Sequence, residues 1–284
     1  MKVLVTGKGG QLASEFEHIY GNNPNWTFVS IDEFDITNKK QILNFINFKH
    51  YNYIINCAAY TLVDDSEDNV ELAYKVNDIG VGNLIEICEL MNSKFIHFST
   101  DYVFFGDKGK PYTETDKPNP TSVYGKSKLA GENRLLNSNI SSIVIRTSWV
   151  YSTFGNNFVK TMLRLAKNRD SLSVVNDQIG SPTYAADIAD VVLQIINCKN
   201  YNWKNGEIFH YSNEGECSWY DFAQEIFKIL KIKIQLNKIR TVDYPTKAYR
   251  PSYTYLAKQK IKSQFNIEVY NWKHSLNIML KKMI

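Results

Sequence analysis

The chain has 284 residues, of which 44% are hydrophobic and 22% are charged, and its formal net charge is +4. This composition excludes a disordered chain and allows a large folded domain, alone or with a smaller one beside it. The positive charge is spread out, without a long basic run or a nucleic-acid-binding motif, so we expect no nucleic-acid partner.

Neither a targeting segment nor a metal site can be recognised in the pattern. The first residues, MKVLVTGKGG, are too short and too rich in glycine for a signal peptide, and no apolar run is long enough to span a bilayer. The four cysteines are far apart and the five histidines are scattered, which predicts reduced thiols and no metal cage. We therefore expect a cytoplasmic protein with no membrane partner.

The first predicted elements are a strand, a glycine turn and a helix. KVLVTG is a short apolar, β-branched run, and Gly7 and Gly10 follow it, with Ala13 in the third position of the glycine pattern. QLASEFEHI then predicts an amphipathic helix. Such a turn directs backbone N–H groups and the positive end of a helix dipole towards a pyrophosphate, which predicts a dinucleotide site.

The alternation of strands and helices continues from there. WTFVSID predicts a second strand ending at Asp32, about 20 residues after Gly10, where an acidic side chain would bind a ribose 2′-hydroxyl and favour NADH. YIINCAAYT (53–61) predicts a third strand with small residues at its end, and the helical NVELAYKVNDIGVGNLIEICELM precedes a fourth strand, KFIHFSTDYVF. This order predicts an α/β fold with a doubly wound parallel sheet, a Rossmann fold, that binds ligands at the carboxyl ends of its strands.

Residues suited to carbonyl chemistry follow the fourth strand. Thr100 and Asp101 stand at its end, where a hydroxyl can hydrogen-bond a substrate carbonyl, and TSVYGKSKLAGE places Tyr124 and Lys128 four residues apart on one helix face. An ammonium beside a phenol favours the phenolate, so the pair predicts a phenol acidic enough to protonate a ketone. Packing or solvation would explain each residue alone, and their combination with the glycine turn predicts a catalytic site.

The second half of the chain has a looser pattern. After the strand IVIRTS, SLSVVNDQIGSPTY predicts a strand and a loop, AADIADVVLQIINC a helix that returns to the sheet, EIFHYS a last short strand and SWYDFAQEIFKIL a further helix. We expect residues 1–148 with about 184–212 to form the dinucleotide-binding domain. Residues from about 149–183 with 213–284 would form a smaller, discontinuous C-terminal substrate domain, with the active site between the two.

These motifs resemble the extended short-chain dehydrogenase/reductase superfamily and, within it, the dTDP-4-dehydrorhamnose reductase family. The resemblance runs along essentially the whole chain, through NCAAYTLVDDSE, STDYVFFGDKGKPYTETDKPNPTSVYGKSKLAGE, IRTSWVYSTFGNNFVKTMLRLAK, LSVVNDQIGSPT and, more loosely, RPSYTYL. It implies NAD(P)H-dependent reduction of the C4 ketone of dTDP-4-dehydro-6-deoxy-L-mannose to dTDP-L-rhamnose, the last step of dTDP-L-rhamnose biosynthesis.

The resemblance also implies roles for single residues. Tyr124 would protonate the C4 oxygen, Lys128 would lower the pKa of Tyr124 and hold the nicotinamide ribose, and Thr100 would bind the reacting oxygen. The other implied cofactor-binding residues are Gly7, Gly10, Gln11, Leu12, Asp32, Asp35, Ile36, Ala58, Ala59, Tyr60 and Thr61. The other implied substrate-binding residues are Asp101, Trp149, Asn156, Asn157, Gln178 and Arg250. Trp149 would lie along the sugar.

Two segments depart from the family pattern. RPSYTYL, which begins at Arg250, differs from the commoner RPxxSxL. Some members bind Mg²⁺ between two subunits through a glutamate of the first helix and another after SPT; Glu15 matches the first, but Ala186 replaces the second. The resemblance therefore leaves monomer or homodimer open, and we assign no metal ligand. NADPH or NADH is open too, because Lys8 suits a 2′-phosphate and Asp32 a 2′-hydroxyl.

Two alternative functions remain open at this point. A reductase, epimerase or dehydratase acting on another nucleotide sugar would share most of these motifs, although dehydratases usually carry Glu after the Thr-Asp pair, where this chain has Tyr102. A non-catalytic regulatory subunit would tolerate loss of Thr100, Tyr124 or Lys128, and all three are present.

Overall fold

The structure, a computed structural model, describes residues 1–283. Its strands are β1 (Val3–Thr6), β2 (Trp26–Val29), β3 (Tyr53–Asn56), β4 (Lys94–Thr100), β5 (Ser142–Thr147), β6 (Val150–Tyr151), β7 (Ser171–Val175), β8 (Ile179–Gly180), β9 (Thr183–Tyr184), β10 (Glu207–His210), β11 (Cys217–Ser218) and β12 (Gln235–Ile239). Its α-helices are α1 (Gln11–Tyr20), α2 (Lys39–Ile46), α3 (Val70–Tyr74), α4 (Gly80–Met91), α5 (Val123–Leu136), α6 (Phe158–Ala166), α7 (Ala185–Asn197), α8 (Trp219–Ile229), α9 (Gln259–Phe265) and α10 (Trp272–Lys281).

Six strands form one parallel sheet in the order β10-β5-β4-β3-β1-β2. The chain runs outward from β1 to β2 and then returns past β1 to β3, so the strand order reverses between β1 and β3. Helices α1 and α7 cover one face of the sheet, while α2, α4 and α5 cover the other. The doubly wound α/β fold predicted from the alternation is confirmed, and a ligand crevice is expected where the order reverses.

Two strands end earlier than the sequence predicts. β2 stops at Val29 instead of Asp32, because the carboxylate of Glu33 accepts hydrogen bonds from the backbone N–H and the hydroxyl of Ser30 and turns the chain. β3 stops at Asn56 instead of continuing to residue 61. There the side-chain oxygen of Asn56 accepts from the backbone N–H of Ala58, 3.2 Å away, and so takes the chain out of the sheet. Side-chain bonds of this kind compete with strand pairing.

Helix α5 packs unusually close to its neighbours. The helix begins after Ser122, whose hydroxyl accepts the backbone N–H of Gly125 and caps the first turn. A side chain at Gly125 would collide with the carbonyl of Tyr102, and one at Gly131 would collide with the carbonyl of Asn77. Asn77 lies in a π-helical turn, Lys75–Ile79, between α3 and α4. Two glycines thus allow α5 to contact the backbone on either side of it.

The remaining strands form small pairs outside the main sheet. β7 pairs with β12 and β6 with β9, both parallel, and β8 pairs antiparallel with β11. Their apolar side chains share a cluster with those of α6, α8 and α10. Helix α7 and strand β10 return to the main sheet, as predicted.

Helix α9 departs from the expected division of the chain. Its Ile261 lies in the apolar cluster of the main sheet, together with Ile267 and Val269. α9 thus packs with the main sheet, although it lies within 213–284, the range predicted for the smaller unit. Within residues 1–283, no helix has both the length and the apolar character needed to cross a membrane.

Candidate active site

The glycine turn lies at the point where the strand order reverses. Gly7 follows β1 with a positive φ of 77°, and a side chain there would stand 2.7 Å from the backbone nitrogen of Ala58. A glycine is therefore required for both conformation and space. Gly10 is the N-cap of α1 and has no side chain. The backbone N–H groups of the first helical turn are therefore not covered by a capping side chain. This arrangement fits the pyrophosphate of a dinucleotide.

The residues expected around the adenosine differ in accessibility. Asp32 is exposed, and only its backbone carbonyl is engaged, accepting from the Gln41 amide at 2.7 Å. Asp35 is half-buried and its carboxylate accepts the backbone N–H of Thr37. Ile36 is buried in the apolar cluster under α4. Lys8, the residue suited to a 2′-phosphate, is paired with Glu17 at 3.1 Å.

The segment after β3 is held by one asparagine. The side chain of Asn77 accepts the backbone N–H of Tyr60 at 2.9 Å and donates to its carbonyl at 3.0 Å. Ala58, Ala59 and Tyr60 are half-buried as a result, and Thr61 is exposed. The π-helical turn thus fixes the backbone of the strip over which the sequence predicts the cofactor to lie.

The predicted catalytic residues converge at the carboxyl end of β4. Thr100 ends the strand, Tyr124 lies in the first turn of α5, and Lys128 follows one turn later. Thr100, Asp101 and Lys128 are each at most 5% exposed. The ring of Tyr102 meets that of Tyr124 edge to face, with centroids 5.6 Å apart. We call Thr100, Asp101, Tyr124 and Lys128 the catalytic cluster.

Burial dominates the electrostatics of the catalytic cluster. It raises the pKa of the Tyr124 phenol, and the nearby Thr100 hydroxyl opposes that rise. Burial also lowers the pKa of Lys128 to about 8, against the attraction of Glu132. The Nζ of Lys128 donates to the carbonyl of Phe98 at 2.7 Å. The predicted lowering of the Tyr124 pKa by Lys128 is not found in this structure, where burial, Thr100, Asp101 and Tyr102 determine the shift.

Asp101 is the second buried acid of the cluster. Burial raises its pKa to about 6, although hydrogen bonds from Thr254 and Thr100 favour the charged form. The donating hydroxyls lie 2.6 Å and 3.1 Å from the carboxylate oxygens. Since Thr254 belongs to the segment after Arg250, Asp101 ties that segment to the end of β4.

Trp149 is fixed on both faces of its indole. One face stacks on Trp219, with centroids 3.6 Å apart and planes 8° from parallel. Over the other lies Gly180, where an added side chain would meet the ring at 2.7 Å. The backbone of Trp149 has a positive φ of 47°, which a non-glycine residue adopts only when its surroundings hold it there. Its edge, instead of a face, is thus what a sugar can contact in this conformation.

Arg250 also has partners within the protein. Its guanidinium pairs with Asp64 and donates to the Tyr102 hydroxyl at 3.2 Å. The Tyr102 ring in turn contacts Tyr124, so Arg250 lies one residue away from the phenol of the catalytic cluster. A cation beside the cluster suits the diphosphate of a nucleotide sugar, but it would bind one in competition with Asp64.

The three amides expected on the substrate side have different surroundings. Asn156 is exposed. Asn157 caps α6 by accepting from Lys160, and its amide nitrogen donates to Gln11 at 3.0 Å, which joins a predicted substrate residue to a predicted cofactor residue. Gln178 is buried and donates to Thr241 at 3.1 Å. Of the three, only Asn156 makes no side-chain hydrogen bond within residues 1–283.

Comparison with known proteins identifies the family. The family profile described as RmlD substrate binding domain matches residues 1–284. A dTDP-4-dehydrorhamnose reductase of Aggregatibacter actinomycetemcomitans is 46% identical over 285 residues, which cover 97% of each protein. The chain belongs to the dTDP-4-dehydrorhamnose reductase family.

Solved structures of this reductase family have the same fold. One from Clostridium acetobutylicum is 40% identical, covers 100% of this chain and 99% of its own, and superposes with a TM-score of 0.92. One from Bacillus anthracis in complex with NADP is 36% identical, covers 99% and 100%, and has a TM-score of 0.93. The family resemblance found in the sequence is confirmed.

Sequence reasoning missed two residues that organise this reductase site. Trp219 stacks on Trp149, and Asp64 pairs with Arg250. Asp64 lies inside the family motif NCAAYTLVDDSE, so a search for carboxylates in matched motifs would have found it. Trp219 is the first residue of α8, directly after the capping Ser218. No local sequence pattern connects it to Trp149, which precedes β6.

Glu15, the family's position for a metal ligand in some reductases, is buried on α1. Its carboxylate accepts the hydroxyl of Ser152 at 2.6 Å, and burial raises its pKa. Ala186, at the second position, packs against the apolar cluster of the smaller unit. No group of three or more potential metal ligands occurs in residues 1–283.

Proposed function

We propose that this chain reduces the C4 ketone of dTDP-4-dehydro-6-deoxy-L-mannose to dTDP-L-rhamnose with NADPH or NADH. The observation that carries this proposal is the meeting of Thr100, Tyr124 and Lys128 at the carboxyl end of β4, on the same edge of the sheet as the glycine turn, in a chain of the reductase family. A nucleotide-sugar substrate and action in the cytoplasm belong to the same proposal, with no nucleic-acid partner.

The roles of the residues follow from their positions. The hydroxyl of Thr100 turns from Asp101 to the ketone oxygen and donates to it. The phenol of Tyr124 gives its proton to that oxygen as negative charge develops. The bound nicotinamide supplies hydride to the ketone carbon. Because burial raises the pKa of Tyr124, the phenol remains protonated, and thus able to donate, throughout the neutral range. Lys128 holds the cofactor ribose and restores the proton that Tyr124 loses.

The cofactor fits the residues present. Gly9 has open space where a side chain would stand, which leaves room for a phosphate against the backbone, and the N-terminus of α1 offers N–H donors to it. The hydroxyls of Ser99 and Thr147 are buried at the ends of neighbouring strands, on opposite faces of the sheet, without a partner in the described chain, so each can hydrogen-bond a ligand that reaches its face. Asp32, exposed at the end of the second strand, suits the 2′-hydroxyl of NADH and would repel the 2′-phosphate of NADPH.

The test is cofactor oxidation with dTDP-4-dehydro-6-deoxy-L-mannose generated in place, followed by absorbance and by product chromatography. We expect dTDP-L-rhamnose with either cofactor, and the ratio of kcat/KM values with NADH and NADPH measures the preference. An Asp32→Ala variant should shift that ratio towards NADPH.

Three results would contradict the proposal in different ways. A folded, cofactor-binding protein without turnover of this sugar, but with turnover of another 4-keto sugar, would change the substrate. Isomerisation or loss of water with no net cofactor oxidation would identify an epimerase or a dehydratase. Absence of turnover with every 4-keto nucleotide sugar would leave a non-catalytic subunit. Sedimentation of the purified chain decides between monomer and homodimer.

A further inference from the structure

A row of buried polar side chains crosses the sheet beneath the proposed active site. Thr6 on β1, Asn56 on β3 and His97 on β4 are register partners on adjacent strands. All three are at most 1% exposed. The row begins at the residue before Gly7 and ends at Lys128 of α5, whose Nζ lies 3.4 Å from Nε2 of His97. None of these side chains except Lys128 has a part in the proposed reaction.

The hydrogen bonds of the row fix the orientation of Asn56. Its oxygen Oδ1 lies 2.6 Å from the hydroxyl of Thr6 and 3.2 Å from the backbone nitrogen of Ala58. The N–H of Ala58 can only donate, and it also reaches the Thr6 hydroxyl at 3.3 Å. An amide nitrogen of Asn56 at 3.2 Å would set two donors against each other, so the amide oxygen lies there. The amide nitrogen Nδ2 therefore faces Nδ1 of His97, at 3.1 Å, and donates to it.

This orientation determines where the imidazole carries its proton. Nδ1 of His97 accepts from Asn56 and has no proton of its own. Burial and the nearby Lys128 hold the pKa of His97 well below its usual range, so the ring is neutral. A neutral imidazole carries one proton, which here is on Nε2 and points at Nζ of Lys128.

An N–H donor aimed at the lysine distinguishes between its two charge states. An ammonium has three donors and no lone pair, whereas an uncharged amine has a lone pair that can accept. The carbonyl of Phe98 accepts one N–H of Lys128 at 2.7 Å, and the amine lone pair is then free for His97. The distance to His97 is at the long end of the hydrogen-bond range, so its effect is moderate.

We propose that His97 is a positioning residue for Lys128. The Nε2–H of His97 favours the uncharged amine of Lys128 and so brings the two charge states of the lysine closer in free energy. This inference rests on the proposed function for its consequence, although not for its geometry. A lysine with closely balanced charge states can give a proton towards Tyr124 and regain it within each turnover. The other charged groups near the row are Glu132, on the same helix, and Arg146 of β5, which Glu132 pairs with at 2.7 Å.

The geometry can be tested without any activity measurement. In protein labelled with ¹⁵N-histidine, the imidazole nitrogens report which atom carries the proton. We expect His97 to show the Nε2–H tautomer without titration from pH 5 to pH 9, and the His97→Asn variant assigns its signals. If that variant does not fold, substituting the other four histidines one at a time assigns His97 by elimination. A proton on Nδ1, or titration near the ordinary histidine pKa of about 6.5, would overturn the proposal.

The consequence can be tested by the pH dependence of kcat/KM. Asparagine at position 97 keeps an oxygen where Asn56 donates and removes the N–H that faces Lys128. We expect the alkaline limb of the profile to move up by about one pH unit, because the lysine then keeps its proton longer. A His97→Asn variant with an unchanged limb and an unchanged melting temperature would refute the role. If the wild type proves inactive on the proposed sugar, the tautomer measurement still decides the geometry.

Discussion

The catalytic cluster and the sugar-side residues, Trp149 and Arg250, are held in place in different ways. Thr100, Tyr124 and Lys128 stand on the end of a strand and the first turns of a helix, where the backbone of regular elements fixes them. Trp149 and Arg250 lie outside any helix, and side chains from distant parts of the chain fix them.

The difference separates the chemistry from the selection of the substrate. Removing the functional group of Thr100, Tyr124 or Lys128 should affect the reaction and leave the fold intact. Changes around the sugar-side residues should affect binding and stability together, because the same contacts serve both. Each of the following experiments tests that separation, from the largest expected effect to the smallest.

Tyr124→Phe should lower kcat by about 10²–10⁴-fold, since general acid catalysis contributes that much. The melting temperature should hardly change, because the ring and its edge-to-face contact with Tyr102 remain. Tyr20→Phe is the matched control, since Tyr20 stacks on Trp26 away from the site and its variant should keep full activity. A Tyr124→Phe variant that turns over at the normal rate would remove the phenol from the mechanism.

Gly180→Ala should destabilise the protein by about 1–3 kcal/mol and raise KM for the sugar, because a methyl group would stand 2.7 Å from the indole of Trp149. Thermal unfolding and steady-state kinetics measure both effects. Gly82→Ala is the control, because the methyl there meets only the Arg134 side chain at 3.3 Å, and helix propensity favours alanine. Equal behaviour of the two variants would show that the stacked indole is not held as described.

Arg250→Gln should raise KM for the nucleotide sugar about tenfold with a smaller change in kcat, the loss expected for a charge-assisted hydrogen bond. Lys247→Gln is its counterpart, since Lys247 and its partner Asp68 are both more than half exposed and such pairs contribute little. A fall in kcat alone after Arg250→Gln would place the guanidinium with the chemistry and break the separation.

The smallest effect, expressed per pH unit, is the change in the free energy of unfolding at acid pH. Burial lowers the pKa of His210 to about 3, below the value of about 6.5 expected when unfolded. The stability that this histidine contributes is fully present above pH 6.5 and is lost as the pH falls towards 3, because the unfolded chain binds the proton first. The loss is about 1 kcal/mol per pH unit.

Asp101 should oppose that loss in part of the range. Its pKa is raised to about 6 in the folded protein, so the folded state gains stability as the pH falls from 6 to about 3.9. Denaturant unfolding of the wild type, His210→Gln and Asp101→Asn between pH 4 and pH 8 separates the two groups. A His210→Gln variant with the same acid slope as the wild type would contradict the burial of a neutral imidazole.

The sheet, and the positions of Thr100, Tyr124 and Lys128 at one end of it, could be predicted because the patterns that specify them are local. The glycine spacing, the apolar runs and the Tyr-Lys spacing all lie within short segments, and the chain order of the elements gives the rest. The predicted ends of β2 and β3 lie several residues beyond the observed ones. Each strand is ended by a hydrogen bond between a side chain and the backbone, at Ser30 and at Asn56, and such bonds do not appear in the hydrophobic periodicity.

The surroundings of the sugar-side residues were not predictable in this way. Trp219 and Gly180 contact Trp149 from other parts of the chain, and Asp64 pairs with Arg250 across a separation of 186 residues. The sequence motifs pointed to Trp149 and Arg250, but not to the residues that contact them. The position of α9 on the main sheet was missed for the same reason, since Ile261 packs with residues far away in the chain.

The glycines of α5 have a consequence for protein engineering. Because Gly125 and Gly131 bring this helix against the backbone of two neighbours, it can neither slide nor roll without collision, and its phenol is fixed with it. Libraries that aim at new sugar substrates should leave α5 untouched and vary the loops around residues 149–157 and 241–250. Altered specificity would then be sought without displacing the acid, and variants of the helix itself would be expected to lose rate before they gain scope.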